Sequence, residues 1–326
     1  MKKFLTIGLS ILIILSIMPG CGNSTDNTSE NKKLSVVTTI FPIYDWAKEI
    51  AANTDNTEFT MLLDNGVDLH SYQPTADDIL KISKCDMFIY VGGESDEWVN
   101  DALKESVNKD MVVINLLDVL GSKVKEEEVV EGMQDDEDED DGEDEEETEY
   151  DEHVWLSLKN AKTLCQYISD KFCEIDKNNK ETYTANTKAY LEKLNTLDSE
   201  YKKAVDEAAV KTVVFGDRFP FRYLVDDYGL SYYAAFVGCS AETEASFKTI
   251  VFLANKVDEL GLKSILQIES ADGSIAKTIK NNTKSKNQKI LTLDSIQSAT
   301  SKDIENGTTY ISIMKNNLKV LKEALK

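Results

Sequence analysis

Short apolar runs alternate with amphipathic segments along most of this chain. In the first half, the runs LSVVTTI, EFTMLL, MFIYVGG and VVINLL predict strands, and the segments PIYDWAKEIAAN and TADDILKISKC predict helices. The same alternation restarts at Lys211 with KTVVFG and continues to the last helical segment, TTYISIMKNNLKVLKEALK. Because alternating strands and helices form mainly parallel sheets flanked by helices, we expect an α/β protein with two such lobes.

Two helical stretches separate the two alternating regions, and the second covers residues 181–208. Its apolar positions recur at alternating spacings of four and three residues, at Tyr183, Thr187, Tyr190, Leu194, Leu197 and Tyr201. At about 1.5 Å per residue, such a helix would be roughly 42 Å long. We therefore predict an N-terminal lobe over residues 34–155, linker helices over 156–209 and a C-terminal lobe over 210–326.

The first twenty residues predict an export signal. They contain lysines at positions 2 and 3, an apolar run over residues 4–18, and small residues before Cys21. This apolar run is short for a membrane span, and the ending MPGC is typical of a lipoprotein signal that leaves Cys21 lipidated at the mature N-terminus. Residues 21–33 are polar and predict a flexible tether. We expect a protein on the outer face of a bacterial membrane, held by its lipid; an ordinary signal peptide with an incidental cysteine is the alternative.

The formal charge of −23 is concentrated in one segment. Residues 135–152 contain fifteen carboxylates and no cation, and without them the formal charge would be −8. The moderately acidic remainder argues against nucleic acid as a partner. Two compatible interpretations of the acidic loop, residues 134–152, stay open: a solvated disordered loop, or a weak collector of divalent cations.

The chain contains only two histidines, and each is placed next to carboxylates. His70 lies between a predicted strand and a helix that Thr75 and Asp78 would begin with a capping box. His153 follows the acidic run and precedes Trp155, at the end of the first lobe. Ligand sites in α/β sheets lie beyond the carboxyl ends of the strands, so the two imidazoles can meet in one cleft. Imidazole and carboxylate together favour a site for Zn²⁺ or Mn²⁺.

Four cysteines remain after Cys21, and none of them forms a CxxC pair. We expect Cys85, Cys165, Cys173 and Cys239 to be buried as small apolar residues, since free cysteine is commonly buried. Cys165 and Cys173 are about 12 Å apart along a helix and cannot bridge each other. Another disulfide remains possible in an exported protein.

Several stretches together resemble one family. VVTTIFPIYDWAKEI, VDLHSYQPTADDILKISKCDMFIYVG, DEHVWLSLKNA, YLVDDYGL, ETEASFKTIVFLANKVDELGLKSILQIES and LTLDSI are similar to the zinc/manganese substrate-binding lipoproteins of ABC importers. The resemblance implies two lobes joined by a rigid helix, with one divalent ion in the cleft. It also implies that His70 and His153 are ligands, and that Asp294 of LTLDSI is a fourth ligand.

The third ligand position departs from that family's pattern. Ten residues before the tyrosine of the YGL motif, where the family usually has His or Glu, this chain has Arg218. Arginine stays protonated and cannot bind a cation. Asp217 is the candidate replacement, provided that the turn at Pro220 shifts the register by one residue; an ion pair or a turn cap is its alternative role. Glu269, at the end of a predicted strand, is a second candidate.

The resemblance implies capture of a divalent transition metal and its delivery to the permease of an ABC importer. Zinc is favoured, with manganese as the alternative, because two imidazoles with carboxylates serve either metal. We expect a monomer that is not an enzyme. One alternative is a metal-dependent hydrolase, which would keep an open coordination position beside a general base. Another is an adhesive surface lipoprotein without metal, in which His70 and His153 would lie far apart.

Overall fold

The computed structural model describes residues 33–134, 149–240 and 244–326. Its first sheet is parallel in the order β2-β1-β3-β4, with β1 at Leu34–Thr38, β2 at Thr57–Met61, β3 at Met87–Tyr90 and β4 at Val112–Asn115. The helices of this region are α1 (Phe41–Ile50), α2 (Ala76–Lys84), α3 (Val99–Lys104) and α4 (Leu116–Leu120). The sequence pattern predicts these strands and the first two helices. It misses α3 and α4, which are too short to show a clear helical period.

The second region follows two long helices, α5 (Leu158–Ile175) and α6 (Lys180–Asp206). Its strands pair in parallel as β5 with β7, β6 with β8 and β9 with β10. These strands are Thr212–Val214 (β5), Arg218–Phe219 (β6), Ser231–Tyr233 (β7), Phe236–Val237 (β8), Ser264–Gln267 (β9) and Lys289–Thr292 (β10). The helices are Arg222–Tyr228 (α7), Phe247–Glu259 (α8), Ser274–Asn282 (α9), Ser301–Glu305 (α10) and Tyr310–Ala324 (α11).

One predicted strand of this region, SYYAAFV, is divided in the structure. The backbone amides of Ala235 and Phe236 both donate to the carbonyl of Asp217, at 3.2 and 3.4 Å. After β7, which pairs with β5, the chain changes partner and pairs as β8 with the two-residue strand β6. The sequence pattern did not predict β6. This change of partner carries the chain from β8 towards Gly238 and Cys239.

Helix α6 connects the helices of both regions. Its predicted apolar face is buried over its whole length, with Val205 extending it. Asn186 donates to the carbonyl of Ile50 at the end of α1, at 3.0 Å, and the Tyr201 hydroxyl donates to the carbonyl of Met314 in α11, at 2.6 Å. The parallel sheets flanked by helices, with one long helix between them, confirm the predicted α/β fold class.

Several predictions fall partly or wholly outside the described residues. These are the signal over residues 1–20, the lipidation of Cys21, nearly all of the tether and most of the acidic loop. The lobe boundaries given above stay predictions. Among the helices that the structure describes, none has the length and apolarity that crossing a membrane requires.

The buried face of α6 gives a prediction about stability. Leu194 is completely buried on this face, so Leu194→Ala should lower the free energy of unfolding of the metal-free protein by about 2–5 kcal/mol. Urea unfolding would measure the loss. Lys188→Ala, at an exposed position of the same helix, is the control and should change it by less than about 0.5 kcal/mol. Equal effects of the two substitutions would contradict the role assigned to this face.

Candidate metal site

His70 lies in a short 3-10 turn, Leu69–Ser71, between β2 and α2. The Asp68 carboxylate caps this turn by accepting from the backbone amide of His70 at 3.1 Å. Helix α2 begins with the predicted capping box of Thr75 and Asp78, which fixes the other end of the loop. Nδ1 of His70 lies 2.7 Å from the hydroxyl of Ser95. The ring is therefore held from its Nδ1 side, and Nε2 points away from that contact.

His153 is completely buried and precedes the 3-10 turn Val154–Leu156. Oδ1 of Asp151 accepts from the backbone amide of His153 at 2.8 Å and lies 2.9 Å from its Nδ1. Because a carboxylate only accepts, Nδ1 carries the hydrogen, and the lone pair of a neutral ring is on Nε2. The Tyr223 hydroxyl holds the carbonyl of Asp151 at 2.7 Å. This carboxylate–imidazole arrangement is the one that usually supports a metal-binding histidine.

The two imidazoles face each other. Nε2 of His70 lies 3.2 Å from Nε2 of His153. Two nitrogens bound to one tetrahedral zinc ion at about 2.0–2.1 Å would be roughly 3.3 Å apart. The fold therefore brings together two residues that are 83 positions apart in the chain, at the spacing that one ion requires.

The two rings differ in how readily they take up a proton. Burial, followed by the proximity of His153, lowers the pKa of His70 to about 3. Burial also opposes the protonation of His153, but Asp151, Glu152 and Glu127 outweigh it and raise the pKa of His153 above its usual value. Of the two rings, His153 thus takes up a proton more readily, because it lies beside the carboxylates.

Cys239 completes a group of possible ligands that sequence reasoning missed. In the described part of the chain, His70, His153 and Cys239 are the group whose ligand atoms all lie within 4.8 Å of one another. Cys239 is only partly buried, so the prediction that it is a buried apolar residue was wrong. It lies two residues after the end of strand β8, and this position close to a strand end was the available signal.

The loop of Cys239 is fixed on both sides. Its backbone amide donates to Oε1 of Glu127 at 3.1 Å. The preceding residue, Gly238, packs against the His153 ring so closely that a Cβ there would lie 3.0 Å from Cε1 of His153. A side chain at this position would crowd the buried imidazole, so glycine favours the close approach of the Cys239 loop.

A cavity of about 240 Å³ adjoins the group. His70 and Cys239 line it together with four acidic residues, Glu94, Glu127, Glu149 and Glu152. Oε2 of Glu152 is buried, has no hydrogen-bond partner among the residues that the structure describes, and lies 3.7 Å from Nδ1 of His70. Burial raises the pKa of Glu152. Carboxylates around a concave site attract cations and raise their local concentration.

The carboxylates of Asp217 and Glu269 accept hydrogen bonds within the second region. Oδ1 of Asp217 accepts from the amide of Arg218 at 2.9 Å, and Oδ2 accepts from the amide of Ile268 at 3.1 Å. Glu269 accepts from the amide and hydroxyl of Ser295, at 2.7 and 2.8 Å, and from the hydroxyl of Ser298 at 3.0 Å. Among the described residues, neither carboxylate belongs to the group of His70, His153 and Cys239.

Asp294 is likewise outside that group within the described residues, although its segment is attached to the turn of His153. The indole of Trp155 donates to the carbonyl of Ser295 at 2.8 Å. Oδ1 of Asp294 accepts from the amide of Ile296 at 2.8 Å. Burial and the nearby Glu269 raise the pKa of Asp294 to about 7, so this carboxyl group lies in a negatively charged environment that a cation would relieve.

Arg218, where the sequence resemblance implies a ligand, forms an ion pair instead. Its Nη2 lies 2.8 Å from Oδ2 of Asp68. The hydrogen bond between Asp217 and Arg218 is made by the Arg218 backbone amide. The guanidinium therefore contacts the residue that caps the His70 turn.

Comparison with known proteins identifies a family for this chain. The family profile for zinc-uptake complex component A, periplasmic, matches residues 36–324. The zinc-binding lipoprotein AdcA of Streptococcus pneumoniae (strain ATCC BAA-255 / R6) is 33% identical over 292 residues, or 89% of this chain and 56% of that protein. The chain thus spans about half the length of that relative. The high-affinity zinc uptake system protein ZnuA of Bacillus subtilis (strain 168) is 33% identical over 313 residues, covering 95% and 94% of the two chains.

Comparison of the fold with solved structures indicates the same family. The crystal structure of the Zn(II)-bound ZnuA-like domain of AdcA from Streptococcus pneumoniae superposes with a TM-score of 0.69 at 30% identity, over 90% of this chain and 99% of that one. This likeness confirms the predicted metal-type solute-binding fold. The family is one of binding components in metal uptake, which agrees with the prediction of a protein that is not an enzyme. By its sequence over residues 36–324 and by its fold, the chain belongs to the family of zinc-uptake complex component A.

Proposed function

We propose that this protein captures one Zn²⁺ ion between His70, His153 and Cys239 and delivers it to the permease of an ABC importer. The observation that carries the proposal is the distance of 3.2 Å between the two Nε2 atoms. Both rings are supported at Nδ1, by Ser95 and by Asp151, so their Nε2 atoms are oriented before an ion arrives. An ion between them would then require little rearrangement of the two rings.

The chemistry of the donors favours zinc over manganese. Zinc accepts imidazole nitrogen and thiolate sulfur in a tetrahedral arrangement, whereas manganese prefers oxygen donors. Cys239 would supply the sulfur. The names of the relatives in Streptococcus pneumoniae and Bacillus subtilis also refer to zinc.

Asp294 is proposed as the fourth ligand. Its segment is joined to the turn of His153 through Trp155 and Ser295, and its raised pKa would fall when a cation bound beside it. Asp217 and Glu269 are less favoured as ligands, because both oxygens of each carboxylate already accept hydrogen bonds. Binding by either residue would cost some of those bonds.

The location and the partners follow from the sequence and from the family. We propose that the mature protein begins at Cys21, is anchored by lipid outside the bacterial cell membrane and acts as a monomer. The relative AdcA is named a lipoprotein, and the family is named as a component of a zinc-uptake complex. An importer permease is therefore the proposed protein partner.

The alternative functions have less support. A metal-dependent hydrolase needs an open coordination position beside a general base, and the family is one of binding components. An adhesive protein without metal would have no reason to bring the imidazoles together, yet their Nε2 atoms are 3.2 Å apart.

Removing either histidine tests the proposed ligands. Changing a residue that merely supports a metal ligand typically costs about 10–100-fold in affinity, so His70→Ala and His153→Ala should each weaken zinc binding by at least about tenfold. Competition with a chromophoric chelator would measure the change, and circular dichroism would check the fold. Wild-type affinity in both variants would refute the assignment.

The cysteine is tested separately with a matched control. Cys239→Ala should also lower zinc affinity by at least about tenfold, and it should abolish the thiolate-to-metal absorption band of the Co²⁺-substituted protein. Cys173→Ala changes another partly buried cysteine, located in α5, and should leave both affinity and spectrum unchanged. A cobalt spectrum without a thiolate band in the wild-type protein would exclude Cys239 as a ligand.

Zinc affinity should decrease as the pH is lowered, because protons compete with zinc for Cys239 and His153. Burial and Glu127 raise the pKa of the Cys239 thiol, so zinc must displace a proton from it, and affinity should drop about tenfold per pH unit. His153 has a raised pKa and binds metal only when neutral, so the slope should steepen as pH falls through that pKa, above about 6.5. Zinc titrations at several pH values from 9 to 6 would measure this dependence. Cys239→Ala should remove the tenfold change per pH unit at the higher pH values. An affinity that does not change with pH would contradict the assignment.

A further inference from the structure

We propose that Arg218 is a positioning residue that sets the distance between the His70 turn and the Cys239 loop. This inference rests on the proposed function, because it concerns the same site. Arg218 cannot bind a metal ion itself. Its guanidinium instead joins the two segments that carry a ligand on either side of the site.

One end of the connection reaches His70. Nη2 of Arg218 lies 2.8 Å from Oδ2 of Asp68, while Oδ1 of the same carboxylate accepts from the amide of His70 at 3.1 Å. A single carboxylate therefore connects the guanidinium to the backbone of the first ligand. The side chains of Arg218 and Asp68 are 17% and 23% exposed, so solvent screens this pair less than it screens a pair on the surface.

The other end reaches Cys239. Nη1 of Arg218 donates to the carbonyl of Ser240 at 3.3 Å, and Ser240 directly follows the cysteine. The backbone of Arg218 also pairs with Phe236 in the β6–β8 ladder, three residues before Cys239. Arg218 thus contacts the described chain on both sides of Cys239, at Phe236 and at Ser240.

Arg218 is itself fixed in place by Asp217. The Asp217 carboxylate connects the amide of Arg218 to the amide of Ile268, at 2.9 and 3.1 Å, and so attaches β6 to the end of β9. Asp68, Arg218 and Asp217 form a continuous series of contacts from the His70 turn to the residue that follows β9.

The geometry requires arginine rather than any cation. A guanidinium is planar and donates in two directions at once, whereas an ammonium group is a compact point charge. Here the two terminal nitrogens donate to two different acceptors, one on each loop. Lysine could keep the charge, but one ammonium would not hold both loops at the same spacing.

Charge and position predict opposite results when Arg218 is removed. If the guanidinium acted only through its charge, Arg218→Gln would remove repulsion towards Zn²⁺ and tighten binding. If it acts by position, the same substitution should weaken zinc binding by about tenfold. Asp68→Asn should have a similar effect. The double variant of Arg218→Gln and Asp68→Asn keeps the net charge of the wild-type protein. Its loss of zinc affinity should be no greater than the larger of the two single losses, because both substitutions break the same contact.

The experiment measures zinc competition and the Co²⁺ absorption spectrum of the full mature chain, with the melting temperature of the metal-free protein in parallel. We expect the thiolate-to-cobalt band to shift or weaken in Arg218→Gln, and Arg218→Lys to show a smaller loss of affinity. Arg222→Gln is the control, since Arg222 pairs with Glu128 and Asp226. It should change neither the zinc affinity nor the cobalt spectrum.

Unchanged or tighter zinc binding in Arg218→Gln would overturn the inference, as would losses that add in the double variant. A lower affinity with an unaltered cobalt spectrum would also overturn it, because the cysteine loop would not have moved. The proposed function fails in a different way: His70→Ala and His153→Ala would then leave zinc binding intact. If those two variants lose binding and Arg218→Gln does not, only the positioning role is excluded.

Discussion

Two imidazole nitrogens 3.2 Å apart are the constraint that the rest of this structure satisfies. Without an ion between them, two lone pairs at that distance would repel, so one ring must offer a hydrogen or a cation must lie between them. Burial and its neighbours keep His70 neutral, and the Asp151 carboxylate orients His153. The arrangement therefore favours a cation between the rings.

The fold brings the residues of the site together from distant parts of the chain. The His70 turn follows a strand of the first sheet, Cys239 follows a strand of the second region, and His153 lies between them in sequence. Tyr223 and Trp155 connect the His153 segment to the second region by hydrogen bonds of 2.7 and 2.8 Å. Helix α6 contacts helices of both regions. A site divided among these segments forms only when the tertiary structure is complete.

Periodicity and capping were sufficient to predict much of this from sequence. The buried face of α6 and the Thr75 capping box are local features, and both occur as predicted. The pairing of Arg218 with Asp68 depends on residues 150 positions apart, and a single sequence carries no signal for it. Cys239 was missed for another reason: its residue type alone suggested burial, and the chain's change of partner before β8 was not predictable from the pattern SYYAAFV.

Zinc K-edge X-ray absorption of the zinc-loaded protein is the measurement that tests the central claim most directly. One ion held by His70, His153 and Cys239 should give two imidazole nitrogens at about 2.0–2.1 Å and one sulfur at about 2.3 Å, with the remaining scattering from oxygen. The multiple scattering that is typical of imidazole should disappear in the His70→Ala, His153→Ala double variant. A shell of oxygen alone would show that the carboxylates hold the ion and would contradict the account.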